Sequence, residues 1–381
     1  MDPATGGEAG DRAANLHVGG QMTMLKDIES ALAGGDRLTA DQAIWLYGNA
    51  PSDWLREAAD GIRRKLHGER AFYNRNIHFE PTNKCVYACR FCAFARTADQ
   101  GPADGAWDHD LEEFERILRE KAPGTITEVH ITGGVHPDRG LDYGEALCRK
   151  VHEIHPSAHV KAFTAVEISF FARKSGLSLE EALRRLQSAG LASLPGGGAE
   201  IFDPEVRRKI AGGKAPAHQW LEIHGIAHGL GLRSNATMLY GHVEEYRHRV
   251  DHMERLRQLQ DRTGGFMAFI PLRYRNENNA LSHLPEATPE EDLRNYAVAR
   301  LFLDNIPHLK AYWVMLGVDL ASRALDWGVD DLDGTVDDTT KIYSMAGAED
   351  QHPAMTTARL ESIIRGRGRI PVERDSLYQA V

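Results

Sequence analysis

The chain has 381 residues, 42% hydrophobic and 8% aromatic, enough to bury one large α/β core. Its 45 Lys and Arg against 55 Asp and Glu give a formal net charge of -10, and no basic run interleaves with aromatics, which argues against nucleic acid as a partner. No run of about 18 apolar residues occurs, so no membrane span is expected.

The opening "MDPATGGEAGDRAANLHVGG" is rich in Gly, Ala and Asp and lacks the apolar stretch of a signal peptide. It reads as a flexible tail over residues 1–22. Four cysteines in so long a chain make no disulfide framework, which points to a cytoplasmic protein. A helical segment is expected over 23–75, with Thr39 and Gln42 at capping-box spacing ahead of "AIWLYGNA".

Apolar, β-rich runs then alternate with helical ones. The predicted strands are "RNIHFEPT", "ITEVHITGG", "HVKAFTAVEI", "LASLPGGG", "LRSNATMLYG", "GFMAFIPLRY", "HLKAYWVML" and "GVDDLDGT". Helix starts are marked by Ser178-x-x-Glu181 and by Thr288-Pro289-x-Glu291. Eight strands with intervening helices predict a (β/α)8 barrel of the TIM type over 76–335, with a doubly wound open sheet as the alternative. Residues 336–381 read as a C-terminal extension, one helix and an extended end packed on the barrel.

Active sites of such barrels gather at the C-terminal ends of the strands. "PTNKCVYACRFCAFAR" follows strand one there, with Cys85, Cys89 and Cys92 spaced C-x3-C-x2-C. Three readings compete. A structural zinc site takes four closed ligands, usually in two halves, and the second half is missing. A buried cysteine stripe requires a helix, which Pro81 and Asn83 disfavour. A [4Fe–4S] cluster on three thiolates would leave one iron open for a further ligand. Cys148, alone in "YGEALCRKVHEIH", reads as a helix core residue.

The C-x3-C-x2-C motif, with Phe91 just before the third cysteine, resembles the signature of the radical SAM superfamily. More specifically, "VKAFTAVEI", "LPGGGAEIFDPEVR", "LRSNATMLYGHVE", "QDRTGGFMAFIPL", "DNIPHLKAYWVMLG" and "DDLDGT" together resemble the aminofutalosine synthase family, from about Leu25 to the C-terminus. The resemblance implies a radical SAM barrel and a [4Fe–4S] cluster on Cys85, Cys89 and Cys92. S-adenosyl-L-methionine (SAM) would bind its open iron and be consumed as co-substrate. An external one-electron donor such as flavodoxin or ferredoxin is the implied partner.

The resemblance also implies site roles. Gly133 and Gly134 match the pair lining the methionine end of SAM, although Val135 and His136 follow where an acidic residue is usual. Glu200 in "PGGGAE" matches the carboxylate on the ribose hydroxyls; its alternative role is at a helix N-terminus. Thr237 and Leu239 match the adenine-packing strand, with Phe91 beside the cofactor and Glu244 tying the loop. The implied substrate is 3-[(1-carboxyvinyl)oxy]benzoate, which has two carboxylates. Candidates to bind it are His78, Lys161, Thr164 and Arg275, with His242, Arg273 and Asp331 as catalytic candidates and Asp333 beside the last.

The implied reaction adds the 5'-deoxyadenosyl radical to the vinyl carbon. Aryl migration and loss of carboxylate follow, giving 6-amino-6-deoxyfutalosine for menaquinone biosynthesis. The alternatives are the sister dehypoxanthine futalosine cyclase, in which the radical abstracts hydrogen, and a non-catalytic iron–sulfur or zinc protein.

Overall fold

The computed structural model describes residues 22–121, 124–337, 342–347 and 353–381. The tail expected over 1–22 lies outside them, apart from its last residue.

Ten strands are described. In chain order they are β1 (Arg70–Asn74), β2 (Asn76–Phe79), β3 (Glu128–Ile131), β4 (His159–Ala162) and β5 (Ser193–Leu194). Then come β6 (Arg233–Tyr240), β7 (Phe266–Arg273), β8 (His308–Leu309), β9 (Asp331–Gly334) and β10 (Ile370–Glu373). Strands β2 to β8 form one seven-stranded sheet in sequential order, and every pair is parallel. Helices cross between them, so the sheet curls with its C-terminal strand ends on one rim, as in a TIM-type barrel.

The helix starts follow local chemistry. Thr39 and Gln42 form the expected capping box, as do Ser178 and Glu181, and Thr288 caps the helix that opens with Pro289. The N-terminal helices pack on the outside: Tyr47 donates to Asn295 at 2.6 Å, and Arg37 bonds both Asp261 and Asp304. Cys148 is fully buried in the helix Leu141–Ile154, as its position predicts.

Closure differs from the simple eight-strand expectation. Strand β9 pairs with β1 rather than β2, in a separate sheet ordered β10-β1-β9. Asp333 and Val336 take left-handed φ values of 68° and 61°, which break the pleat and stop a regular ladder on β2. Individual bonds close the gap instead. Ala311 N donates to Asp331 O at 2.8 Å and His78 N to Val336 O at 2.9 Å, while Thr335 Oγ1 donates to Asn76 O at 2.7 Å.

Several predicted strands are also shorter than their sequence runs. "HVKAFTAVEI" is strand only to Ala162, because Thr164 caps a helix beginning at Ala165; "HLKAYWVML" turns helical at Trp313. The extended end of the C-terminal segment is a strand, β10, with Pro371 tolerated on a sheet edge.

Candidate active site

The cysteine segment is an irregular loop, which removes the helical-stripe reading. The Asn83 amide pins it, donating to Phe94 O at 3.0 Å and Gly105 O at 2.9 Å and accepting from Trp107 N at 2.9 Å. Cys85, Cys89 and Cys92, all free, line one wall of a chamber of about 160 Å³. Gly133 and Gly134 line the same chamber. A Cβ on Gly134 would stand 2.4 Å from Lys84 O, and one on Gly133 2.9 Å from Thr82 O. The pair is therefore required for the exit of β3 to pack against the cysteine loop.

Burial pushes the Cys89 thiol up to about 11, and burial also raises Cys92. Bare thiolates are thus disfavoured there, and a bound cationic centre would reverse the balance. Three convergent sulfurs, a chamber beside them and a lysine on its wall fit a cluster with one open position.

That lysine, Lys214, donates to Glu200 at 2.5 Å and stands 5.2 Å from the Phe91 ring centroid. Burial works to raise the Glu200 carboxyl, but Lys214 outweighs it and leaves the group below its ordinary range. Glu200 itself takes a left-handed φ of 48°, and its carbonyl accepts from Leu239 N at 2.9 Å. It therefore caps no helix. Lys214 carried no spacing signal in "AGGKAPAH", and only the fold brings it to the cysteines.

A second cavity, about 270 Å³, adjoins this chamber, sharing Phe91, Cys92, Phe94, Thr132 and Thr164 as lining. Thr164 caps the helix Ala165–Ser175 in a box with Glu167. Thr237, Leu239, Ile270 and Leu272 form a wall, with Gly196 beside Thr237 and Gly197 beside Thr164. A Cβ on Gly196 would lie 2.7 Å from Thr237 Cγ2, so this glycine lets β6 approach.

Arg273 and Arg275 line the rim end. Arg273 Nη2 donates to Ala287 O at 2.7 Å, while its buried Nε has no hydrogen-bond partner and stands 3.5 Å from Asp292. Arg275 donates to Met315 O at 3.1 Å and Gly347 O at 2.5 Å. At the deeper end lie His78, His130, Asn235, Tyr312 and Asp333. The His78 and His130 rings are 4.4 Å apart. Burial holds His78 down to about 4 and His130 well below its ordinary range. Asp333 is neutralised by Lys310 at 2.9 Å.

Four candidates line neither cavity among the described residues: Glu200, behind Lys214, and three others. His242 is enclosed in its own loop, 3.0 Å from Glu244 and 3.1 Å from Leu239 O. Glu244 ties that loop, accepting from Gly241 N at 2.6 Å and His242 N at 2.8 Å. Lys161 turns down the barrel interior to Glu128 at 2.5 Å, and Ser376 donates to the same carboxylate. Asp331, two residues deeper than Asp333, is taken by Arg374 at 2.5 Å. In each case a buried charge or polar ring is met by a local partner, which fixes the side chain away from the cavity.

The parallel sheet, the cysteine loop on its rim and the adjoining cavities define an enzyme that carries out cofactor chemistry on a TIM-type scaffold. Comparison with known proteins narrows this. The profile of the radical SAM superfamily matches residues 79–256, and that of the CofH/MqnC C-terminal region matches residues 263–381. An aminodeoxyfutalosine synthase of Thermus thermophilus is 45% identical over 94% of this chain and 96% of its own. A cyclic dehypoxanthine futalosine synthase of Streptomyces coelicolor is 39% identical over 94% of this chain and 90% of its own. The crystal structure of methylornithine synthase superposes with a TM-score of 0.71 over 90% of this chain and 97% of that one, at 15% identity, which speaks to the fold alone.

The chain belongs to the radical SAM superfamily and, within it, to the family of the aminodeoxyfutalosine synthases. It is an enzyme that uses a [4Fe–4S] cluster and SAM. No helix among the described residues is long and apolar enough to cross a membrane.

Proposed function

We propose that this enzyme joins the adenosyl group of SAM to 3-[(1-carboxyvinyl)oxy]benzoate, forming 6-amino-6-deoxyfutalosine for menaquinone biosynthesis in the cytoplasm. The observation that carries the reading is a shared wall. The cysteine chamber and a cavity large enough for an aryl ligand, rimmed by two arginines, have Phe91, Cys92, Phe94, Thr132 and Thr164 in common.

A cluster bound here, reduced by an external carrier such as flavodoxin or ferredoxin, would supply the electron for SAM cleavage. Cys85, Cys89 and Cys92 hold it, and the remaining work belongs to other residues of the chain. Lys214 offsets negative charge beside the thiolates, and Glu200, held by Lys214, faces the ribose. Thr237 and Leu239 pack on the adenine. Arg273 and Arg275 offer charge-assisted bonds to a substrate carboxylate, with Thr164 between the two compartments. The neutral His78 adds polarity without a competing charge. Enclosure keeps water from the reacting carbons and holds them close, where a misplacement of about 1 Å can cost roughly a hundredfold in rate.

The test is anaerobic turnover with dithionite, adenosyl-labelled SAM and the enolpyruvyl benzoate. An adenylated aryl product with little free 5'-deoxyadenosine is expected. One 5'-deoxyadenosine released per product would instead assign the hydrogen-abstracting reaction of the sister family.

A further inference from the structure

Asn235 stands out among the polar residues of the cavity. It is 3% exposed, yet its Oδ1 has no hydrogen-bond partner, and no bond of its Nδ2 to another described residue is seen. Asn83, equally buried, spends its whole amide on the backbone. Asn235 Nδ2 is therefore left to donate to a bound ligand.

The strand's alternation aims it. Where Ser234 faces Phe266 and Asn235 faces Ala268, the skipped residue, Met267, lies on β7, so β6 keeps its pleat. Ser234 points outward to His224 at 2.9 Å, and Asn235 inward with Thr237 and Leu239 above it. Beside it His130 lines the cavity, its ring without a hydrogen-bond partner among the described residues. Arg273 pairs with Tyr240, five residues up β6 from Asn235. At about 3.3 Å per residue the two positions are roughly 16 Å apart along the strands, and the arginine side chain spans part of that distance.

We propose that Asn235 Nδ2 and a ring N–H of His130 hold one carboxylate of the aryl substrate at the cavity floor, opposite the other carboxylate on Arg273. This rests on the reading of the cavity as the aryl site. Neutral donors suit the floor, where the nearby lining carboxylate, Asp333, already holds Lys310.

Binding of the enolpyruvyl benzoate to reconstituted, unreduced enzyme tests this by calorimetry. Asn235→Ala should raise Kd about tenfold. Asn235→Asp, of the same shape, should raise it a hundredfold or more by setting carboxylate against carboxylate. His130→Leu should weaken binding about tenfold and His130→Asn less. The cluster absorbance and SAM affinity should stay unchanged. With 2-phenoxyacrylate, which lacks the ring carboxylate, the Asn235→Asp penalty should vanish if the floor holds that group and persist if it holds the enolpyruvyl one. Wild-type binding with an unchanged or tighter Kd in Asn235→Asp would overturn the proposal. No binding by the wild type would overturn the aryl-site reading itself.

Discussion

Lys214 reaches Glu200 at 2.5 Å from a loop fourteen residues further on, and the pair is buried beside Phe91 and the cysteine chamber. Removing one member leaves the other charge unpaired. Lys214→Met should destabilise the protein by roughly 3–5 kcal/mol and weaken SAM binding. Glu200→Gln, which keeps a hydrogen-bonding acceptor, should cost less stability and chiefly reduce SAM affinity. Denaturant unfolding together with SAM titration separates the two effects. An unchanged SAM affinity in both variants would return the pair to a purely structural role.

Cys85→Ala, Cys89→Ala or Cys92→Ala should each abolish the brown chromophore after reconstitution and all SAM cleavage. Cys148→Ala should keep both, at about 1 kcal/mol of stability for a buried thiol in the helix core. Iron and sulfide analysis with the visible spectrum checks this.

Arg273→Ala removes a rim cation that stands 3.5 Å from Asp292 and 3.3 Å from Glu286. The substrate should then sit loosely, and reactive equivalents from SAM should be quenched elsewhere. The ratio of adenylated product to free 5'-deoxyadenosine should fall at least tenfold, while SAM affinity holds.

Glu167 is buried in the capping box with Thr164, and burial raises its carboxyl to about 7 from 4.5. Its folded pKa exceeds its unfolded value, so the folded state binds the extra proton. The stability it contributes is full below about 4.5 and is lost as pH rises toward 7. Glu167→Gln should flatten the stability profile between those values and raise stability at neutral pH by up to a few kcal/mol. Chemical denaturation at pH 5 and pH 7.5, wild type against variant, provides the measurement.

The sequence by itself determined what is local. Three cysteines at C-x3-C-x2-C, the capping residues Thr39, Ser178 and Thr288, and the alternation of β-rich and helical runs all act over a few residues, so they could be read directly. Tertiary structure decided the rest, because side-chain direction and charge pairing depend on partners far away in the chain. Lys161 and Asp331 have the chemistry of rim residues, yet Glu128 and Arg374, 33 and 43 residues away, hold them elsewhere; His242 is held by Glu244 within its own loop. Lys214, His130 and Asn235 are single polar residues without a spacing signal. They reach the cavities through a loop return and the alternation of parallel strands. The pairing of β1 with β9 and β10 joins chain segments some 260 and 300 residues apart, a distance over which no sequence period can report.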